Sequence, residues 1–222
     1  MEYTFSPLTD FPKLEEAIAR LYGDAAPMQT KRFRGLLRGL EETFGPSEKI
    51  AVFSAPGRTE IGGNHTDHQH GRVLAGSVNL DIIAAAAPNG ERVIRLQSEG
   101  FPMDVVDLDD LEIHPEEVNR SASILRGIAA WFVRQGCRLE GFNAYTTSSV
   151  FKGSGLSSSA ALEVLIGNII NELFYEGKCT PVQLAQIGQY AENVYFGKPS
   201  GLLDQMGSSM GGMVTIDFAD ND

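Results

Sequence analysis

"FKGSGLSSSAALEVLIGNIINELFYEG", residues 151–177, runs from a glycine-rich turn into a long apolar helix. Gly153 and Gly155 let the backbone turn tightly and approach a bulky anion. The serines then open a helix whose unpaired N–H groups and dipole favour negative charge. The outline is a phosphate cradle. It is not a P-loop, because no Gly-Lys-Ser/Thr follows at the required distance. Ser158 also stands where the dinucleotide fingerprint needs its third glycine. Taken by itself, the stretch also reads as a plain serine-capped helix.

Elements on either side are clearly punctuated. Upstream, residues 141–150 read as a strand and residues 119–136 as a helix ending at Gly136. Residues 81–98, "DIIAAAAPNGERVIRLQS", read as a hairpin turning at Pro88-Asn89-Gly90, and residues 49–57 as a strand. Two N-terminal helices, residues 12–23 and 30–45, stop at Gly23 and Gly45, where a left-handed C-cap fits. Downstream, Thr180 caps a helix that has Pro181 at its first position and closes at Gly197. Residues 211–218 form a last strand.

Helices and strands mix without strict alternation, which predicts an α+β fold rather than a doubly wound parallel sheet. The expected arrangement is a mostly antiparallel mixed sheet with the helices of residues 119–136, 156–177 and 180–197 packed on one face. No repeat, low-complexity tract or linker divides residues 1–222, so a single domain is expected.

Composition narrows the partners. A net charge of −11 over 222 residues argues against binding a phosphate backbone, which needs a basic stripe, so no nucleic acid is expected. No apolar run approaches the length of a membrane span, and the N-terminus lacks an apolar signal core. Cys137 and Cys179 lack paired spacing, which points to reduced thiols and a cytoplasmic setting.

Two further segments surround the cradle with polar chemistry. "APGRTEIGGNHTDHQHG", residues 55–71, crowds histidines, an aspartate and glycines together. Imidazole and carboxylate suit zinc, but the spacing of His65, Asp67, His68 and His70 fits no recognised zinc pattern. "PSGLLDQMGSSMGG", residues 199–212, sets Asp204 in a small-residue stretch just after a helix. A carboxylate there can reach a substrate hydroxyl or simply cap a helix.

Taken together, these three segments resemble the GHMP kinases, the family of the galactokinases, homoserine kinases and mevalonate kinases, with the galactokinase branch nearest. That branch's first motif runs Pro-Gly-Arg-Val-Asn-Leu-Ile-Gly-Glu-His-Thr-Asp-Tyr, of which Pro56, Gly57, Arg58, Gly63, His65, Thr66 and Asp67 are retained. The second motif is nearly complete in "GSGLSSSAALEV". The spacing from Glu192 to Asp204 is also the family's. The likeness spans about Ile50 to Phe218.

The resemblance implies an ATP-dependent sugar 1-kinase that makes galactose 1-phosphate, with ATP and Mg2+ as cofactors. Asp204 would orient or deprotonate the anomeric hydroxyl, with Arg58 beside it and the γ-phosphate. Asn64, His65, Thr66, Asp67 and the backbone at Gly201 would bind the sugar. Gly153, Ser154, Gly155, Leu156, Ser157, Ser158 and Ser159 would wrap the ATP phosphates, and Ser98 would approach the nucleoside. Ser159 and Glu192 would hold Mg2+, although a glutamate on a helix flank usually faces solvent. His68 and His70 are read as surface histidines.

Asn64 replaces the usual glutamate before His-Thr-Asp, which leaves a GHMP kinase for another sugar open. A non-catalytic sugar and ATP sensor is the other alternative. Family members continue into a second domain, so 222 residues read as an N-terminal portion, with a monomer favoured.

Overall fold

Burial along the longest strand explains the layering. The computed structural model describes residues 4–5, 11–64, 66–151 and 153–219, with backbone alone at 4, 5, 67 and 68. Strand β3 (Arg72–Pro88) is buried without a break from Asp81 to Ala87, so both its faces are covered. Ile82, Ala84 and Ala86 join one core and Ile83, Ala85 and Ala87 another, as the two-residue period requires.

Around β3 the sheet is built from β1 (Thr4–Phe5), β2 (Ile50–Gly62), β4 (Val93–Ser98), β5 (Asp104–Asp107), β6 (Phe142–Ser148) and β7 (Met213–Asp217). The order is β1-β2-β3-β6-β4-β5, and β7 pairs with the first part of β3. Among the described strands only β4 and β6 run parallel; the other pairs are antiparallel. The expected α+β class with a mostly antiparallel mixed sheet is what the chain adopts.

The hairpin expected over residues 81–98 does not form. The chain does reverse at Asn89-Gly90, but β6 lies between β3 and β4. Asn89 shows how the slot is kept open. Its backbone N–H donates to the Gly141 carbonyl at 3.1 Å, and its side-chain amide donates to Asn143 and to the Val93 carbonyl, both at 3.0 Å. Gly141 fits inside this crook because a Cβ there would stand 2.6 Å from the Glu91 carbonyl oxygen.

On one face lie α3 (Ser121–Arg134), α4 (Ser158–Phe174) and α5 (Pro181–Ala191), the three helices expected there. The N-terminal helices α1 (Phe11–Tyr22) and α2 (Ala26–Phe44) cover the other, through Leu14, Ile18, Phe33, Leu36 and Leu40. α2 starts earlier than its apolar spacing predicts because Pro27 sets its first turn. No described helix is long and apolar enough to cross a membrane.

Asp81 ties the layers together. Its carboxylate accepts from Tyr22 Oη at 2.5 Å, from Ser54 Oγ at 2.6 Å and from Arg32 Nη1. Its carbonyl accepts from Ser149 Oγ at 2.9 Å. The Tyr22 hydroxyl is pushed well above the usual tyrosine range, first by burial and then by the Asp81 charge. One carboxylate thereby joins α1, α2, β2, β3 and the segment that leads into the glycine-rich turn.

Candidate active site

β2 does not end at Gly57 as its sequence predicts. Pro56 offers no N–H, but it stands where the β2–β3 register slips between Pro56 and Arg58, and the strand continues past it to Gly62. Gly57 then lets the Leu156 carbonyl come close; a Cβ would stand 2.8 Å from that oxygen. The Arg58 N–H donates to the same carbonyl at 3.1 Å. Strand and glycine-rich turn are thus fastened backbone to backbone.

Arg58 itself is buried. Its Nε and Nη2 donate to Asp204 Oδ1 at 2.8 and 2.5 Å, and Nη1 donates to the Gly155 carbonyl at 2.8 Å. Asp204 lies in the first turn of α6 (Leu203–Met210), whose N-cap is Leu202. A carboxylate in that turn also meets the positive end of the helix dipole. Gly207, one turn on, leaves room for Arg58; a Cβ there would be 2.9 Å from Arg58 Cβ.

Ser157 has a left-handed backbone, φ 55 and ψ 60, and its hydroxyl donates to Asp204 Oδ2 at 2.5 Å instead of capping α4. α4 therefore has no side-chain cap and no acidic residue in its first turn. Its first N–H groups, beside Ser158 and the exposed Ser159, are left without a side-chain cap, an arrangement that favours an anion. Gly153 and Gly155 both have positive φ, 80° and 77°, and are exposed along with Ser154. Leu156 is half-buried.

Glu192 overturns the solvated reading of its helix flank. α5 gives way there to a π turn, Glu192–Phe196, and the Glu192 side chain is 4% exposed. Such turns cluster at functional sites because they re-aim side chains. Lys198 Nζ donates to Glu192 Oε1 at 2.8 Å, and Gln205 Nε2 donates to Oε2 at 3.0 Å. The other Gln205 N–H reaches Glu163 Oε2 at 2.8 Å. Glu163 Oε1 and Gln205 Oε1 are buried without a hydrogen-bond partner. Burial, then repulsion by Glu192, pushes the Glu163 carboxyl up to about 8. The bond to Glu192 holds the Lys198 ammonium above the usual lysine value.

Among the described residues no three His, Cys, Asp or Glu side chains converge as a metal cluster. Mg2+ needs less, because it keeps several waters and shares substrate phosphates. The donor set fits it: Glu192 offers a buried carboxylate that already binds a cationic group, and Ser159 offers an exposed hydroxyl.

The residues expected to bind the sugar stand less completely in view. His65 and the Asp67 side chain lie outside the described residues. Asn64 is exposed with φ 58, a conformation asparagine tolerates better than glutamate does. Thr66 Oγ1 donates to the Gly63 carbonyl at 2.7 Å. Gly201 lies in the loop before α6, where Asn193 Oδ1 accepts from the N–H of the adjacent Ser200 at 2.7 Å. Ser98 ends β4 beside β6, and its hydroxyl accepts from Thr146 at 3.0 Å.

Glu163, Gln205 and Lys198 were not singled out from sequence. One signal was present: Glu163 is the charged residue inside an otherwise apolar stretch of α4, and a helix apolar all round is buried.

Comparison with known proteins gives the same outline. Residues 40–88 match the galactokinase galactose-binding signature, and residues 122–212 match the GHMP kinase N-terminal domain. The galactokinase of Lacticaseibacillus casei strain BL23 is 35% identical over 176 residues, 78% of this chain and 45% of that protein. The crystal structure of Lactococcus lactis galactokinase complexed with galactose superposes with a TM-score of 0.78 at 29% identity, covering 86% of this chain and 50% of the other. Methanococcus jannaschii mevalonate kinase shares the fold, with a TM-score of 0.65 at 17% identity, covering 76% of this chain and 54% of the other. The chain spans about half the length of the curated relatives it matches. With the sugar-binding signature running through β2 and β3 and the kinase domain running from α3 to α6, this chain belongs to the GHMP kinase family.

Proposed function

We propose that this chain forms the sugar- and nucleotide-binding part of an ATP-dependent kinase that phosphorylates the anomeric hydroxyl of galactose. The observation that carries the reading is the junction of Arg58, Asp204 and Ser157 at the mouth of the glycine-rich turn. A carboxylate for the hydroxyl and a guanidinium for developing negative charge sit together where a helix N-terminus is open to phosphate.

Phosphoryl transfer asks mostly for positioning and electrostatic stabilisation. Asp204, its side chain 30% exposed, accepts the hydroxyl proton or orients that hydroxyl through Oδ2, exchanging its bond with Ser157 for one with the sugar. Arg58 fixes the carboxylate through Oδ1 and places its charge beside the turn. Backbone N–H groups from Gly153 to Ser159 hold the phosphates, with Ser98 towards the nucleoside. Asn64, His65, Thr66, Asp67 and Gly201 hold the hexose, whose hydroxyls must all be paired once buried. Ser159 and Glu192 would hold Mg2+, which when bound neutralises charge on the phosphate oxygens.

Calorimetric titration with galactose, and separately with a non-hydrolysable ATP analogue and Mg2+, tests this reading. Both should bind, and galactose should outcompete glucose and mannose. A chain that binds nucleotide but no hexose overturns the sugar half of the proposal. A chain that binds hexose but no nucleotide overturns the kinase half.

A further inference from the structure

Lys198 belongs to no motif, yet its ammonium reaches into the most acidic corner of the site. Its side chain is 56% exposed overall, while the Glu192 carboxylate that its ammonium bonds is 4% exposed. The Asp204 carboxylate also attracts this ammonium. The Arg58 guanidinium is already engaged by Asp204 and Gly155. Two neighbouring oxygens, Glu163 Oε1 and Gln205 Oε1, have no hydrogen-bond partner among the described residues. The buried Glu192 carboxylate needs a cation, and the exposed lysine supplies it.

The geometry points to Lys198 as an internal counter-ion that occupies the cation-binding face of Glu192 until a divalent metal displaces it, and so sets how much metal the site requires. This inference rests on the proposed reading of Glu192 as a metal ligand. An ammonium and a metal ion cannot share one carboxylate oxygen without mutual repulsion, so one must leave when the other arrives. The lysine can leave: its stem is flexible, and it follows Gly197, which has φ 83. A divalent ion brings twice the charge to the same buried carboxylate.

Titration of the nucleotide-free chain with Mn2+, followed by the paramagnetic resonance of the free ion, tests this directly. Lys198→Met, which keeps the stem and removes the charge, should bind Mn2+ about five- to tenfold more tightly than the unmodified chain. Lys198→Gln should behave in the same way, which guards against a folding defect in either variant. Lys198→Arg should stay near the unmodified value. Unchanged or weaker Mn2+ binding in Lys198→Met and Lys198→Gln, with binding still lost in Glu192→Gln, overturns the counter-ion role and leaves the reading of Glu192 standing. Mn2+ binding that survives Glu192→Gln overturns that reading, and this inference with it.

Discussion

The Ser157 hydroxyl and the Asp204 carboxylate lie 2.5 Å apart, although the two residues begin different helices. The left-handed backbone at Ser157 aims the hydroxyl away from its own helix, leaving the α4 N-terminus uncapped and giving Asp204 a second donor besides Arg58. The uncapped helix end and the placed carboxylate therefore both depend on one residue.

Replacing Asp204 by Asn separates chemistry from binding. The amide is nearly isosteric, so galactose affinity should change modestly. Loss of general-base assistance should cut kcat by at least about 10²-fold in the intact enzyme. A coupled ADP-release assay measures it, and near-normal kcat would make Asp204 a structural residue.

Gly57→Ala tests the close approach of strand and turn. The added methyl would meet the Leu156 carbonyl at 2.8 Å, so the turn must move or the strand must bend. Overpacking of this kind costs about 1–3 kcal/mol. Chemical denaturation should show that loss, and nucleotide affinity should fall with it because the displaced turn carries Gly155.

Glu163 should leave a mark on stability against pH. Its carboxyl keeps a proton up to about 8 in the folded chain, but releases it near the ordinary value of 4.5 when unfolded. Between those limits the folded state holds more protons, so its stability is full at the acid end and is lost as pH rises towards 8. Glu163→Gln, which cannot ionise, should flatten that decline in Tm measured between pH 5 and 8.5. An unaltered slope would mean Glu163 is ionised throughout.

Removing the Asp81 carboxylate should be costly. Asp81→Ala strands the Arg32 guanidinium, the Tyr22 hydroxyl and the Ser54 hydroxyl together. Breaking a buried ion pair from one side typically costs about 3–5 kcal/mol. Urea unfolding that shows less than about 1 kcal/mol would mean that water replaces the carboxylate.

What the sequence revealed depended on how local the signal was. Gly23, Gly45, Gly177 and Gly197 mark helix ends legibly because each takes a positive φ that other residues resist. Thr180 caps its helix as its sequence predicts, and Gln183 completes the cap reciprocally. The strand over residues 49–57 reads too short, because its continuation past Pro56 depends on a register slip that is a property of the pairing with β3. The inward setting of Glu192 was not legible in helical periodicity, which assumes an unbroken helix, whereas a π turn begins at this residue. Asn89-Gly90 announced a reversal truthfully. It could not announce that a later strand would occupy the space beside it.

That inserted strand has a consequence for synthesis. Ser98 and Thr146, paired across β4 and β6, are 48 residues apart. On the ribosome β4 cannot join the sheet until β6 has been made, because no local hairpin holds it against β3. Until then the alanine-rich edge of β3 stands open, an unpaired hydrophobic edge of the kind that recruits other chains. Chains truncated before Ser148 should therefore aggregate, while those extending past it can close the edge with their own backbone.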